Sequence, residues 1–318
     1  MSSFDIVAIG ELLIDFTSKS LDGETCFTPH PGGAPCNFLT MAVRFGTTAA
    51  FIGKVGNDSF GKMLKSVIEK EGINTSNLIL SQDYPTTLAF VHLDKEGDRS
   101  FSFYRNQTAD VMIRADEINL DLVRHAGIVH FGSLSFTNEP ARSAVLSVLE
   151  EARLMNKVIS YDPNYRPLLW HSEEEARESM LMGFEYATVV KVSEEELTLL
   201  SGENDYILGT QKLMNFGPKL IVVTLGDKGV FYYTHQFNGI VSGYKTIAVD
   251  TTGAGDIFFG ALMAQISIKG EAIETINEQH LREMLLKANA SASLCIETYG
   301  GIPSVPTIER VIERLNKK

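Results

Sequence analysis

Asp250-Thr-Thr-Gly-Ala-Gly-Asp256 places two glycines and a carboxylate just ahead of an apolar run, Ile257-Phe-Phe-Gly-Ala-Leu-Met263, that reads as a helix. Gly253 and Gly255 allow a tight turn with no Cβ in the way. Successive N–H groups and the positive end of the following helix can then face one anion, and a phosphate fits that description. Asp256 stands within reach of the group being phosphorylated, placed to accept a hydroxyl proton while the backbone donors hold charge developing on the transferring phosphoryl. A plain glycine turn before an acidic helix start would account for either glycine or the aspartate alone, but not for the whole segment.

Other segments offer groups suited to a polyol or to phosphate oxygens. His30-Pro-Gly-Gly-Ala-Pro-Cys-Asn37 pairs Gly32 and Gly33, where a ligand can approach the backbone, with an Asn that both donates and accepts. The same residues also describe a rigid loop capped by Asn37 ahead of a helix at Phe38-Leu-Thr-Met-Ala42. Asp15 follows the first strand in Gly10-Glu-Leu-Leu-Ile-Asp-Phe16, where an apolar surround makes an unpaired carboxylate costly; it reads either as a turn residue or as a ligand for hydroxyls. Asp162-Pro-Asn-Tyr-Arg166 joins a carboxylate, the Asn164 amide and the Arg166 guanidinium directly after a strand, and Arg105 offers a second fork. Ser193-Glu-Glu-Glu196 has capping-box spacing, and a first-turn carboxylate such as Glu196 is also compatible with holding the water shell of magnesium.

Several chemistries lose their support. Gly56-Asn-Asp-Ser-Phe-Gly-Lys62 has Walker spacing, but Met63 stands where a Ser or Thr must reach magnesium, so the segment reads as a turn into a core helix. No G-x-G-x-x-G follows a strand, which removes the main case for a dinucleotide oxidoreductase. The seven histidines are scattered without ligand spacing, so a protein-held zinc is not expected.

Elements of one architecture must carry these groups. Ile6-Val-Ala-Ile9, Val158-Ile-Ser-Tyr161 and Leu220-Ile-Val-Val-Thr224 are short apolar runs of the sort buried on both faces of a parallel sheet. Between such runs Phe60, Met63, Leu64, Val67 and Ile68 repeat with helical spacing, and Pro140 opens another helix carrying Val145, Val148, Leu149 and Ala152. The alternation predicts an α/β fold with a doubly wound, mostly parallel sheet flanked by helices, its ligands beyond the carboxyl ends of the strands. Segments 13–33 and 84–110 break the rhythm. Leu88–Leu93 and Ser100–Tyr104 flank Asp94–Asp98 as hairpin strands, giving a small sheet that either covers a site as a lid or is a decorative edge. The 318 residues are expected to form one domain, without repeats or linkers.

A net charge of −12 argues against general affinity for nucleic acid or anionic membrane, and no apolar stretch nears the roughly 18 residues of a membrane span. Cys26, Cys36 and Cys295 are odd in number and scattered, which suits a reducing cytoplasm. The start of the chain shows no targeting pattern.

With these residues assembled, the chain resembles the ribokinase-like (PfkB) family of sugar and nucleoside kinases, and within it the fructokinases. Gly32-Gly33-Ala34-Pro35 to Asn37, continuing to Gly53-Lys-Val-Gly56 and Asp58, is similar to the amino-terminal signature of the family, and Asp250 to Asp256 to its carboxy-terminal one. Fructokinase-like wording recurs in Gly10–Asp15, Phe103–Asp110 and Asp162–Arg166. The resemblance implies Asp256 as base, Gly253, Ala254 and Gly255 as anion hole, Asp15, Gly33 and Asn37 as holders of sugar hydroxyls, and Arg105 as a lid contact. It further implies Thr224, Gly226, Gly229 and Asn289 around the nucleotide, and Asp250, Thr252 and Gly300 around a potassium ion held by carbonyls. Ser193 replaces the Asn of the family's N-x-x-E motif, leaving the magnesium role to Glu196, with Lys191 a candidate for touching a phosphate. The implied reaction is ATP- and magnesium-dependent phosphorylation of the 6-hydroxyl of D-fructose by a homodimer. The alternatives are a 2-keto-3-deoxygluconate kinase, with Arg105 and Arg166 clamping a carboxylate, and a sugar-binding sensor without catalysis.

Overall fold

Short runs of β-branched residues that end at glycine or at a polar residue become the central strands. The computed structural model describes residues 3–21, 24–93 and 99–317. The expected turn at Asp94–Asp98 lies outside them. The chain runs β1 (Phe4–Ile9), β2 (Leu13–Leu21), β3 (Glu24–Gly32), α1 (Ala34–Arg44), β4 (Ala49–Gly56), α2 (Ser59–Lys70), β5 (Ile73–Ser81), β6 (Leu88–Leu93) and β7 (Arg99–Tyr104). It continues through α3 (Leu120–Arg124), β8 (Ala126–Gly132), α4 (Ala141–Leu154), β9 (Val158–Asp162), α5 (Glu173–Phe184), β10 (Val189–Ser193), α6 (Glu194–Ser201) and α7 (Tyr206–Met214). The last elements are β11 (Leu220–Thr224), β12 (Gly229–Thr234), β13 (Asn238–Ser242), α8 (Ala254–Lys269), α9 (Glu278–Cys295) and α10 (Ile308–Asn316).

Nine strands form one sheet in the order β13-β12-β11-β10-β9-β8-β1-β4-β5, parallel except for the β11-β12-β13 meander at one edge. One apolar layer, under α1, α8 and α9, includes Phe38, Phe258, Phe259 and Leu285. The other, under α4 to α7, includes Val148, Met180, Leu197 and Leu213. The sheet is therefore covered on both faces, as the unbroken apolar runs of β1, β4 and β11 require. α8 is apolar nearly all round and correspondingly buried from Asp256 to Ala264.

Helix α2 begins as expected of a turn into the core: Asp58 caps it, its Oδ1 accepting from Gly61 N at 2.8 Å, and Leu64 and Ile68 face inward. Met63 departs from the expected inner face and is exposed. α1 starts at Ala34, four residues ahead of the expected Phe38–Ala42 run, because Pro35 is tolerated at a helix start and Gly33, with φ of 121°, supplies the entry. Asn37 therefore lies inside the helix and caps nothing.

A second sheet of four strands, in the order β3-β2-β6-β7, stands apart from the first. Its register aligns Asp15 with Ala89 and Ala89 with Phe103, so these three share a face. Phe16 and Phe90 occupy the opposite face and stack with ring centroids 4.9 Å apart.

Candidate active site

The loops after β1, β8 and β9, the strand β10 and the start of α8 converge on one cleft of about 450 Å³, walled on its remaining side by the small sheet. Asp15 and Phe103 come from that sheet, Glu11 from the loop after β1, Asn37 from α1, Asn164 and Arg166 from beyond β9, Lys191 from β10, and Thr252, Gly253, Gly255 and Asp256 from the α8 entry. Gly33 lies on the same wall, and Gly32 sits directly beneath the Asp15 carboxylate, where a side chain would collide with it.

Gly253 is the N-cap of α8 in the left-handed region, with φ of 82°, so the amides of the first turn open toward the cleft with no side-chain cap in their way. Asp256 occupies that first turn. Burial pushes its carboxyl up to about 6, while the Asn37 amide, Lys191 and Arg166 oppose the rise. Asn37 Nδ2 donates to Asp256 Oδ2 at 2.9 Å. Asp15 is pushed to about 7 by burial, with Arg166 opposing, and Glu11 also to about 7 by burial. Glu11 Oε1 accepts from Ala34 N at 2.8 Å, tying the loop after β1 to the start of α1.

Lys191 Nζ bridges both oxygens of Asp162, at 3.1 and 3.0 Å, and lies where a Cβ on Gly255 would come within 2.9 Å of it. Burial lowers the Lys191 pKa, but the charges of Asp162, Glu196 and Asp256 more than offset this, and the ammonium is held above its ordinary value. A fixed positive charge thus borders the anion loop.

Ser193 and Glu196 form a complete capping box: Ser193 Oγ accepts from Glu196 N at 3.1 Å and Glu196 Oε2 accepts from Ser193 N at 2.7 Å. Glu196 Oε1 accepts from Tyr165 N at 2.7 Å, so this carboxylate also fixes the Asp162–Arg166 loop.

A second, more apolar cavity of about 330 Å³ adjoins the first through Thr251, which lines both. Gly226, Ala254 and Asn289 line it with Tyr244, Ala292 and Ile296. Thr224 and Gly229 do not. Gly229, at φ of 109°, makes the β11–β12 turn, where a Cβ would lie 2.7 Å from the Ser242 carbonyl carbon. Asp250 clasps the neighbouring loops, accepting from Thr252 N at 2.9 Å and from Gly300 N at 2.8 Å.

Arg105 is placed differently from a lid contact. Its Nε donates to Asp110 at 2.7 Å, Nη1 to Thr137 Oγ1 at 2.8 Å and Nη2 to the Leu134 carbonyl at 3.0 Å, and it does not line the cleft. The fork is spent on anchoring the end of β7 to the loop after β8.

Glu11 and Phe103 were not singled out as site residues in the sequence. A carboxylate just beyond a buried strand, as in Glu11, carries the signal that would have found one of them, because burying such a charge requires a partner or a ligand.

A carboxylate in the first turn of a helix, an adjoining apolar cavity and a polar cleft, all at the carboxyl ends of a doubly wound sheet, define a phosphotransferase of the ribokinase-like class. Residues 3–308 match the pfkB family carbohydrate kinase profile. Fructokinase-1 of Zea mays is 41% identical over 320 residues, covering 98% of each chain. The crystal structure of a Xylella fastidiosa fructokinase with bound ATP aligns with a TM-score of 0.91 at 28% identity, covering 98% of both chains. A Vibrio cholerae fructokinase bound to fructose, ADP and calcium aligns at 0.89 and 29% identity, covering 99% of this chain and all of the other. The chain belongs to the pfkB family of carbohydrate kinases, and it is an enzyme of that class.

Proposed function

We infer that the protein is an ATP-dependent fructokinase, transferring the terminal phosphoryl of ATP to the 6-hydroxyl of D-fructose to give fructose 6-phosphate and ADP. The observation that carries this reading is the position of Asp256: its carboxylate shares one cleft with the amides of the α8 entry, with Asn37 and with Asp15. The sugar lies against Asp15, Gly33 and Asn37. Asp256 takes the hydroxyl proton while the amides at Gly253, Ala254 and Gly255 and the Lys191 ammonium hold charge developing on the phosphoryl in line with it. The adenosine occupies the adjoining cavity by Gly226 and Asn289.

Magnesium carried by the nucleotide supplies charge neutralisation between its phosphates. No group of three or more His, Cys, Asp or Glu that could cage a metal forms among the described residues. Glu196 is the carboxylate assigned to the water shell of the ion, and its two backbone bonds give it a fixed position. The clasped loops of Asp250, Thr252 and Gly300 are assigned to a potassium ion. The small sheet acts as a lid that excludes water. Its outer aromatic face, where Phe27 and Tyr104 edge against Phe90, supports pairing of two copies. Three unpaired thiols suit the cytoplasm, and among the described residues no helix is long and apolar enough to cross a membrane.

Occupation of the Arg105 fork weighs against 2-keto-3-deoxygluconate, since only Arg166 is left to meet its carboxylate in a cleft that already holds Glu11, Asp15 and Asp256. An ADP-release assay across fructose, ribose, 2-keto-3-deoxygluconate and adenosine, with and without potassium, tests the assignment. Sugar-dependent ADP release is expected to be fastest with fructose, and Asp256→Asn should lower turnover about 100- to 10,000-fold. Binding of sugar without ADP release would instead describe a sensor.

A further inference from the structure

The bond between Asn37 and Asp256 spans 219 positions of sequence and joins two helices, and both side chains are more than nine-tenths buried. Asn37 Oδ1, by contrast, has no hydrogen-bond partner although it is buried in the wall of the cleft. Which end of the amide faces which group follows from chemistry. An ionised carboxylate only accepts, so the Asn37 nitrogen must face Asp256 and the oxygen must turn toward the ligand space. A buried acceptor left without a donor is costly and asks for one.

We propose that Asn37 is the positioning residue for the Asp256 base: its amide nitrogen aims the carboxylate, and its oxygen, turned into the cleft by that bond, accepts a hydroxyl of the bound sugar. The proposal rests on Asp256 acting as the base. A hydroxyl donating to Oδ1 polarises the amide and strengthens its N–H bond to the carboxylate, so arrival of the sugar tightens the base it is about to use. Asp256 is also faced by Lys191 from β10 and Arg166 beyond β9, by Glu11 beyond β1 and Asp162 at the end of β9, by Asp15 on β2, and by Cys295 at the end of α9. Of these neighbours, Asn37 is the one that touches the carboxylate through a hydrogen bond, and its contribution is the largest of those favouring the ionised form.

The test is single-turnover kinetics on the full chain from pH 5 to 9, with KM for fructose measured alongside, for Asn37→Ser, Asn37→Leu and Asn37→Asp. Removing the donor should move the acid limb of the rate about one pH unit upward from near 6, so that the rate at pH 6.5 falls about threefold further below its alkaline plateau than in the unsubstituted enzyme. Asn37→Asp, which sets a second carboxylate against the first, should move it further. Asn37→Ser adds neither bulk nor charge and reads out even where the other two changes impair folding, which a thermal melt shows. A raised KM with the acid limb unmoved would overturn the proposal, leaving Asn37 as a sugar contact alone. Asp256→Asn run in parallel separates the two ideas. Near-normal turnover there would sink the base assignment itself, whereas an inactive Asp256→Asn with unshifted Asn37 variants would sink only the positioning role.

Discussion

Gly260 lies one turn beyond Asp256 in α8 and faces α1, and its lack of a side chain sets how closely the two helices approach. A Cβ built there would collide with the Phe38 carbonyl oxygen and would stand 3.0 Å from the Phe38 carbonyl carbon and 3.2 Å from Met41 Cβ. Carbon atoms prefer about 3.5–4.0 Å, so Gly260→Ala forces α1 back by about 0.5–1 Å. Asn37 precedes Phe38 on α1, and its 2.9 Å bond to Asp256 would open to about 3.4–3.9 Å, outside the hydrogen-bonding range of about 2.7–3.2 Å. Stability should change little in comparison. Overpacking costs about 1–3 kcal/mol, while alanine gains about 1 kcal/mol over glycine in a helix interior, leaving a net loss of about 0–2 kcal/mol. Activity should respond far more, since a 1 Å misplacement of a catalytic group costs on the order of 100-fold. Urea unfolding and initial rates of ADP release on the same preparation measure the two effects. A Gly260→Ala enzyme with kcat within about threefold of the parent would refute the claim that the α1–α8 spacing sets the geometry of the base.

Three further expectations follow from buried groups. Lys191→Met leaves Asp162 buried without its counter-ion and should destabilise the fold by about 3–5 kcal/mol in urea unfolding; adding Asp162→Asn should recover much of that stability while turnover stays low. Glu11 titrates near 7 when folded against an ordinary 4.5, so the folded state binds its proton more tightly. The stability this contributes is fully present below about pH 4.5 and is lost as pH rises through 7. Glu11→Gln, which still accepts from Ala34 N–H, should therefore lose less unfolding free energy than the parent between pH 5 and 8, and an equal loss would contradict the assigned burial effect. Gly229→Ala combines a left-handed φ with a collision against β13, so a loss of at least about 2 kcal/mol is expected with KM for fructose unchanged; a raised KM at full stability would return Gly229 to the ligand site.

Local patterns carried most of the architecture into the sequence. Unbroken apolar runs such as Leu220–Thr224 can only be buried on both faces, and the 3.6-residue repeat from Phe60 to Ile68 can only be a helix with one inner side. Asp256 was legible for the same reason, since the glycines that shape its loop are its neighbours in the chain. Partnerships across the chain were not. Arg105 reads as a free fork until the fold brings Thr137 and the Leu134 carbonyl to it from about 30 residues away, and Lys191 shows its worth only when β9 places Asp162 beside β10. Asn37 read either as a polyol ligand or as a cap of the Phe38–Ala42 run, because its partner Asp256 is 219 positions away in the chain. Gly229 was placed beside Gly226 at the nucleotide only by the family resemblance, yet the pairing of β12 with β13 demands it for backbone reasons.

The closure of Arg105 onto Asp110 also explains how so acidic a chain handles two ligands of different charge. Burial by itself would raise the Asp110 pKa, but the guanidinium and the hydroxyls of Thr87 and Thr108 hold it below its ordinary value, so the pair is ionised and self-neutralising behind the cleft. What remains in the cleft is segregated. Glu11 and Asp15 stand toward the small sheet, where they suit a neutral polyol rich in donors, while Lys191 borders the amides of the α8 entry, a pairing that suits phosphate oxygens. Opposite charges at the two ends of one cleft orient a neutral sugar and an anionic nucleotide without competition for the same groups. An anionic sugar would meet carboxylates on its own side, and specificity for a neutral ketose then follows from repulsion as much as from contact.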